Sequence, residues 1–125
     1  MILDTNAISA MAEGETGVME RFAATRELSL PVIVLGEYRF GIAKSRRRRE
    51  YERWLGEMIS LVRVLEVNKE TAVCYARVRT ELKEAGTPIP SNDVWIAALC
   101  RQHALPLLSR DQHFDLIRGF RRLDW

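Results

Sequence analysis

Four acidic residues stand beside apolar runs, where carboxylates are uncommon because an ionised group is costly to desolvate. The four are Asp4 after the run 1–3, Glu37 after the run 32–35, Asp93 before the run 94–100 and Asp111 after the run 105–108. If they converge, two carboxylates about 4 Å apart repel by about 4 kcal/mol at an effective dielectric of about 20, so protons or a cation must relieve the repulsion. Oxygen ligands without a paired Cys or His favour a hard cation such as Mg2+ or Mn2+. The expected chemistry is hydrolysis of a phosphodiester with the help of a metal-activated water.

The spacing of apolar residues predicts strands that alternate with helices. Strands are predicted at 1–3, 28–34, 64–67, 105–109 and 121–125. Helices are predicted at about 7–11, 16–26, 35 to about 42, 69–85 and 91–103, and a further long helix opens with the arginine run 46–49. Glu37 is expected near the first turn of its helix. Thr5 or Asn6 is expected to cap the first helix, and Ser91 or Asn92 the last. Pro31 lacks an N–H and is expected at the start of its strand or on an edge strand. This order predicts a mainly parallel sheet with helices on both faces, whose strand ends bring the acids to one edge.

Length and composition fit one domain over residues 1–125, with one core and an ordinary globular balance of 47% hydrophobic and 29% charged residues. No apolar run approaches the ~20 residues of a spanning helix. The N-terminus also shows no secretory signal, so a cytoplasmic location is expected. Cys74 and Cys100 form no Cys-x-x-Cys pair and are expected to be buried free thiols.

A run of four arginines concentrates positive charge that the formal net charge of +2 conceals. Such a run suits a phosphate backbone, because binding releases condensed counterions. An exposed helix start or a face that binds an acidic protein explains the run equally well.

Four short motifs follow one another along almost the whole chain. They are Leu3-Asp4-Thr5-Asn6, Glu37 after the second strand, Asn92-Asp93-x-Trp95-Ile96-Ala97-Ala98 and Ser109-x-Asp111-x-His113-Phe114. Each motif alone is weak, whereas four in this order and at this spacing are a strong signal. In these residues the chain resembles the PIN-domain ribonucleases, and most closely the VapC-type toxins of type II toxin–antitoxin pairs.

The resemblance implies an α/β fold, a three-layer α/β/α sandwich with a mainly parallel sheet of strand order 3-2-1-4-5. It also implies an endoribonuclease that depends on Mg2+, with Mn2+ as a substitute, and that hydrolyses RNA phosphodiester bonds. By resemblance the catalytic residues are Asp4, Glu37, Asp93 and Asp111, of which Asp4, Asp93 and Asp111 are metal ligands, while Glu37 acts through water or orients the nucleophile. By the same resemblance, Thr5, Asn6 and Ser109 hold these carboxylates. Charge alone, and not the resemblance, makes Arg39, Arg46, Arg47, Arg48 and Arg49 candidates for binding RNA.

Partners follow from the same resemblance: a cognate VapB-like antitoxin, an RNA substrate and a second copy of the chain in a homodimer, with no membrane. Trp54 and Trp95 are candidate apolar contacts for such partners. His103 and His113 have no partner at ligand spacing, so they are expected to cap or pack rather than to act as a general base.

Two other functions compete with this interpretation. A catalytically silent PIN-like module would bind RNA or protein and keep its acids for structure, although uncompensated buried carboxylates are costly. A phosphotransferase or haloacid-dehalogenase-like enzyme would use Asp4 as nucleophile, but such enzymes carry a second Asp where Asn6 stands. A receiver domain is disfavoured because no acidic pair follows the first strand.

Overall fold

The computed structural model describes residues 1–125. The strands are β1 (Ile2–Leu3), β2 (Ser29–Pro31), β3 (Arg63–Leu65), β4 (Leu107–Leu108) and β5 (Arg122–Leu123). The helices are α1 (Thr5–Ala12), α2 (Thr16–Ala23), α3 (Val32–Ile42), α4 (Arg48–Leu61), α5 (Lys69–Glu84) and α6 (Ser91–His103), with a 3-10 helix at Gln112–Leu116.

The strands form one sheet in the order β3-β2-β1-β4-β5, and every pairing is parallel. In the middle strand, Ile2 is in register with Ser29 of β2 and Leu107 of β4. The predicted fold class and strand order are therefore confirmed. In a parallel sheet the carboxyl ends of neighbouring strands share an edge, so Asp4 after β1 and Ser109 after β4 become neighbours.

The core explains why these short strands hold together. It is one cluster of 28 buried residues, in which Ile2, Leu3, Leu107 and Leu108 are completely inaccessible to solvent. A central parallel strand is covered by helices on both faces, so both side-chain directions must be apolar. No helix combines the length and the apolar character that crossing a membrane requires.

Residues 32–34 are helical, so the prediction that the second strand runs to residue 34 is wrong. β2 ends at Pro31, and α3 begins with the next residue. Val34, Leu35 and Tyr38 turn inward at helical spacing, and this burial overrides the strand preference of a Val-Ile-Val run. Glu37 consequently lies in the second turn of α3 rather than in the first.

Pro31 also differs from the prediction, because it is the last residue of an internal strand rather than the start of a strand or part of an edge strand. Pro31 is the last residue of β2 paired with β3, opposite Leu65, and the chain turns into α3 directly after it. Its φ of −61° and ψ of 139° suit a residue that precedes a helix.

Three smaller predictions have different outcomes. The first helix is capped by Asp4 rather than by Thr5 or Asn6, and α6 follows Pro90 without a side-chain cap. Both cysteines are free, as predicted, but only Cys100 is fully buried while Cys74 is half-buried.

Candidate metal centre

Asp4 is placed by two elements at once, since it ends β1 and caps α1. Its Oδ1 atom accepts a hydrogen bond from the Thr5 backbone N–H at 2.7 Å. Its Oδ2 atom accepts from the Ser109 hydroxyl at 2.6 Å and from the Asn6 amide at 3.0 Å. These hydrogen bonds hold the side chain rigidly, and the residue is only 5% exposed to solvent.

Ser109 joins the two sides of the centre. Besides donating to Asp4, its hydroxyl oxygen accepts from the Asp111 backbone N–H at 3.0 Å and from the Asn6 amide at 3.1 Å. The side-chain Oδ1 atom of Asn6 in turn accepts from the Arg110 backbone N–H at 3.3 Å. The segment that carries Asp111 is thus tied to the end of β1.

Glu37 reaches the same cavity from α3. Its Oε2 atom accepts from the Thr5 hydroxyl at 2.5 Å and its Oε1 atom from the Asn92 amide at 2.8 Å. Thr5 lies in the first turn of α1 and Asn92 in the first turn of α6. One carboxylate therefore connects three helices.

Asp93, Asp111 and His113 form the other side of the centre. His113 Nε2 lies 2.8 Å from Asp93 Oδ2 and 3.0 Å from Asp111 Oδ2. Neither approach has the geometry of an N–H hydrogen bond, and the buried Nε2 atom is left without a hydrogen-bond partner. The 3-10 helix is capped by Asp111, whose Oδ1 accepts from the His113 N–H at 3.2 Å.

The four predicted acids line one open cavity of about 490 Å³. Glu13 and Glu15, at the end of α1 and the start of α2, add two further carboxylates to its wall. The lining contains no basic side chain, so like charges face one another across the cavity.

The pKa values reflect this crowding. Burial raises the pKa of Asp93 to about 6, and the charges of Asp4, Glu37 and Asp111 act in the same direction while His113 opposes them. Burial likewise raises the pKa of Asp4, against the hydrogen bonds from Ser109 and Thr5 that lower it. The protein alone therefore favours protons on these carboxylates.

The donor set suits a hard divalent cation. One oxygen of Asp93, one of Asp111 and one ring nitrogen of His113 lie within 4.8 Å of one another. Carboxylate oxygens are what Mg2+ and Mn2+ prefer, and paired thiolates of a zinc site are absent from the cavity lining. A cation here would offset both the burial and the repulsion from Asp4, Glu37 and Asp111 that raise the pKa of Asp93.

The predicted RNA-binding arginines lie outside this cavity. Arg46 and Arg47 precede α4, while Arg48 and Arg49 begin it, and all four are exposed. Arg47 is tied to Glu50 by two hydrogen bonds of 3.1 and 3.0 Å, and Arg39 lies 3.5 Å from Glu52.

Sequence reasoning missed four residues of the site, Asn92, His113, Glu13 and Glu15. Asn92 appeared only within a motif and as a candidate helix cap, although an amide next to Asp93 was a signal that the position could serve the site. His113 was expected to cap or pack because it had no partner at ligand spacing, but the fold brings both Asp93 and Asp111 to it. Glu13 and Glu15 gave no sequence signal, since they read as a break between two helices.

The chain is similar to known proteins in sequence and in fold. The PIN domain family matches residues 1–119. Ribonuclease VapC5 of Mycobacterium tuberculosis is 31% identical over 124 residues, which cover 94% of this chain and 87% of that protein. The tRNA(fMet)-specific endonuclease VapC of Salmonella typhimurium is 28% identical over 127 residues, which cover 99% of this chain and 96% of that protein.

A solved structure, DNA-bound VapBC from Salmonella typhimurium, matches with a TM-score of 0.89 and 28% identity, covering 99% of this chain and 96% of that one. The crystal structure of FitAcB from Neisseria gonorrhoeae matches with a TM-score of 0.86 and 26% identity, covering 98% and 95%. With nearly the whole chain matched and the four acids in one cavity, this chain belongs to the PIN-domain family, within its VapC group.

Proposed function

We propose that the chain is a Mg2+-dependent endoribonuclease, the toxin of a toxin–antitoxin pair, acting as a single PIN domain over residues 1–125. The observation that carries this proposal is the meeting of Asp4, Glu37, Asp93 and Asp111 in one cavity. An RNA substrate is supported by the similarity to proteins named as a ribonuclease and a tRNA-specific endonuclease.

Asp4, Asp93 and Asp111 are the residues that would hold the cation. A carboxylate offers about four acceptor positions, and three are used on Asp4, two at Oδ2 and one at Oδ1. The remaining position is therefore on Oδ1. A bound divalent cation supplies an acidified water and stabilises negative charge on a phosphoryl oxygen.

Glu37 has a different role, because both of its oxygens already accept hydrogen bonds from Thr5 and Asn92. This orientation fixes a negative charge beside the metal ligands. Glu37 would orient a water molecule or take its proton, a role for which a positioned carboxylate is suited. Ser109 and Asn6 keep Asp4 in place while charge builds on the substrate.

Cleavage of RNA by the wild-type chain, by Asp93→Asn and by Glu84→Gln tests the proposal, each with Mg2+, Mn2+ or EDTA. Glu84 is an exposed acid at the end of α5 and makes no ion pair, so its variant is matched for charge. We expect metal-dependent cleavage by the wild type and by Glu84→Gln alone. Equal cleavage by Asp93→Asn would contradict the assigned site.

Calorimetry with Mn2+ separates the remaining outcomes. If the wild type binds Mn2+ and Asp93→Asn does not, but neither cuts generic RNA, the enzyme has a narrow substrate. If neither binds Mn2+, the chain is a silent module that binds RNA or protein, and the nuclease proposal fails.

We further propose a homodimer and a VapB-like antitoxin as partners, since matched structures are VapBC assemblies. Trp54 and Trp95 stay candidates for these contacts, since both are partly exposed although Trp54 packs near Tyr38 and Trp95 stacks on Tyr75 with centroids 3.9 Å apart. α3 adds Phe40 as a candidate, with 86% of its surface accessible. Light scattering is expected to give a dimer for the wild type and a monomer for Phe40→Asp, and a wild-type monomer at all concentrations would contradict the dimer.

A further inference from the structure

A second cavity adjoins the metal centre along α1. It measures about 280 Å³ and shares Thr5, Ser9, Glu13 and Glu37 with the acidic cavity. Its other wall comes from α3 and α4. It extends to Ser45, which also borders the surface formed by Arg46, Arg47, Arg48, Arg49 and Arg53, the arginine surface. The acidic cavity, this second cavity and the arginine surface therefore adjoin one another in that order, and together we call them the groove.

The charge changes along the groove in a way that suits one kind of ligand. At one end stand the carboxylates that would hold a cation, and at the other stand Arg46, Arg48, Arg49 and Arg53, which are exposed and form no ion pair. Arg47 differs, because Glu50 and Glu13 lie 3.0 and 3.6 Å from it. The fold thus neutralises one arginine of the run and leaves the others available for an anion.

The second cavity has an unused hydrogen-bonding group. Tyr38 lines it and is only 3% exposed, yet its hydroxyl has no hydrogen-bond partner in the chain. A buried hydroxyl without a partner lowers the stability of the fold. No contact within the chain therefore explains why a tyrosine hydroxyl lies at position 38. The opposite side carries Tyr51, whose hydroxyl donates to Glu13 and accepts from Arg47. Gly41 leaves open space there, since an added Cβ would meet no atom within 4 Å.

We propose that this groove holds the single-stranded RNA segment next to the scissile phosphate, with a base in the second cavity and backbone phosphates on Arg46, Arg48 and Arg49. This inference rests on the proposed nuclease function. The length of α1 estimates the room for RNA between the two cavities that it borders. The helix rises by about 13 Å from Asp4 to Glu13, and this distance holds about four nucleotides at a stacked spacing of about 3.4 Å.

Three arms of one binding experiment test the groove. All use the full chain with Asp93→Asn, so that RNA is not cut, and a fluorescent single-stranded RNA of mixed sequence over a range of salt concentrations. The first arm compares the triple variant Arg46→Ala, Arg48→Ala, Arg49→Ala with a charge-matched control, Arg26→Ala, Arg77→Ala, Arg121→Ala, whose arginines are exposed and unpaired. Each lost phosphate contact reduces the magnitude of the slope of log binding constant against log salt concentration by about 0.7. This magnitude should therefore fall by about 2 for the groove variant and stay unchanged for the control.

The second arm fills the cavity. Gly41→Leu should weaken RNA binding about tenfold, because stacking of one base contributes that much. Gly56→Leu is the matched control, since Gly56 lies in α4 with equally open space and outside the groove. Both substitutions replace a helical glycine and should raise the Tm, so weaker binding by Gly41→Leu cannot come from misfolding.

The third arm uses Tyr38→Phe, which should bind RNA more weakly without a lower Tm, since the hydroxyl has no partner to lose. Unchanged RNA affinity in Gly41→Leu and an unchanged salt slope in the triple variant would overturn the groove, even where wild-type cleavage upholds the nuclease.

If the triple variant loses binding to a polyglutamate peptide but keeps its RNA affinity, the arginines bind an acidic protein and the RNA path is wrong. Absence of wild-type cleavage and of Mn2+ binding would instead remove the nuclease proposal itself.

Discussion

Ser109 donates its hydroxyl proton to Asp4 Oδ2 across 2.6 Å, although 105 positions separate the two residues in the chain. Both residues are buried, and the contact joins the ends of the adjacent parallel strands β1 and β4. The orientation of the Asp4 carboxylate therefore depends on the register of the sheet.

Ser109→Ala should lower both stability and metal affinity. The substitution leaves a buried carboxylate short of a donor, which costs about 1–3 kcal/mol of unfolding free energy, and loss of such a supporting group weakens metal binding about 10–100-fold. Urea unfolding and Mn2+ calorimetry measure the two effects. Ser60→Ala is the control, because Ser60 is exposed and bonds only to the Glu57 carbonyl; an equal loss in both variants would contradict the role of Ser109.

The pH dependence of the metal-free protein should reveal the strain at Asp93. Because its pKa is raised from the usual 3.8 to about 6, the folded state binds more protons than the unfolded state between these values. This group therefore makes the protein less stable as pH rises from about 4 to about 6. Asp93→Asn lacks the titration and should gain Tm relative to the wild type over that interval.

With saturating Mn2+ at pH 7.5, the wild type should have a higher Tm than Asp93→Asn, the reverse of the order in the metal-free proteins. A ligand at 100 times its Kd stabilises the folded state by about 2.7 kcal/mol, and Asp93→Asn lacks one of the carboxylates that we propose to bind the cation. Thermal unfolding with and without Mn2+, at pH 5 and 7.5, provides the comparison. A Tm difference independent of pH in the metal-free proteins would argue against a raised Asp93 pKa.

His113→Phe should preserve metal binding and weaken the metal-free protein. The imidazole nitrogen lies between Asp93 Oδ2 and Asp111 Oδ2, where it offsets their repulsion. Phenylalanine retains the ring beside Phe114, whose centroid lies 5.1 Å from that of His113. We expect a lower Tm in EDTA and an unchanged Mn2+ affinity, whereas loss of Mn2+ binding would make His113 a ligand. His103→Phe, at the end of α6, serves as the control.

Arg122→Lys should loosen the segment that carries Asp111. Arg122 forms two 2.9 Å hydrogen bonds to the Asp115 carboxylate and one to the Ser109 carbonyl, and its side chain is 13% exposed. Lysine cannot reproduce this planar fork, so we expect a loss of about 1–2 kcal/mol, given that charged hydrogen bonds contribute about 1.5–3 kcal/mol each.

Urea unfolding measures this change, and Arg121→Lys is the control because its side chain is exposed and makes no hydrogen bond. A similar stability for both variants would show that Arg122 is an ordinary surface arginine. The Asp115 carboxylate forms an ion pair with Arg122, which indicates a structural role for Asp115.

The sequence alone determined the alternation of strands and helices and the four acids at their ends. Apolar runs and helical spacing are local properties, since they follow from which residues can be buried on a strand or on one face of a helix. The strand order 3-2-1-4-5 was implied by the resemblance to the PIN-domain ribonucleases, which the four motifs carry, and the sheet confirms it. Even here, local pattern was insufficient at residues 32–34, whose strand-forming side chains became the first turn of α3.

Only the tertiary structure decided which side chains meet. Asn92 reaches Glu37 across 55 positions, and His113 enters the acidic cluster because α6 and the segment after β4 begin at the same edge of the sheet. Within one arginine run, Arg47 is paired while its neighbours remain open. Its closer partner, Glu50, is local in sequence, but only packing brings Glu13 at the end of α1 within 3.6 Å of it. These distinctions depend on distances between remote parts of the chain, and neither residue type nor spacing encodes such distances until the helices pack on the sheet.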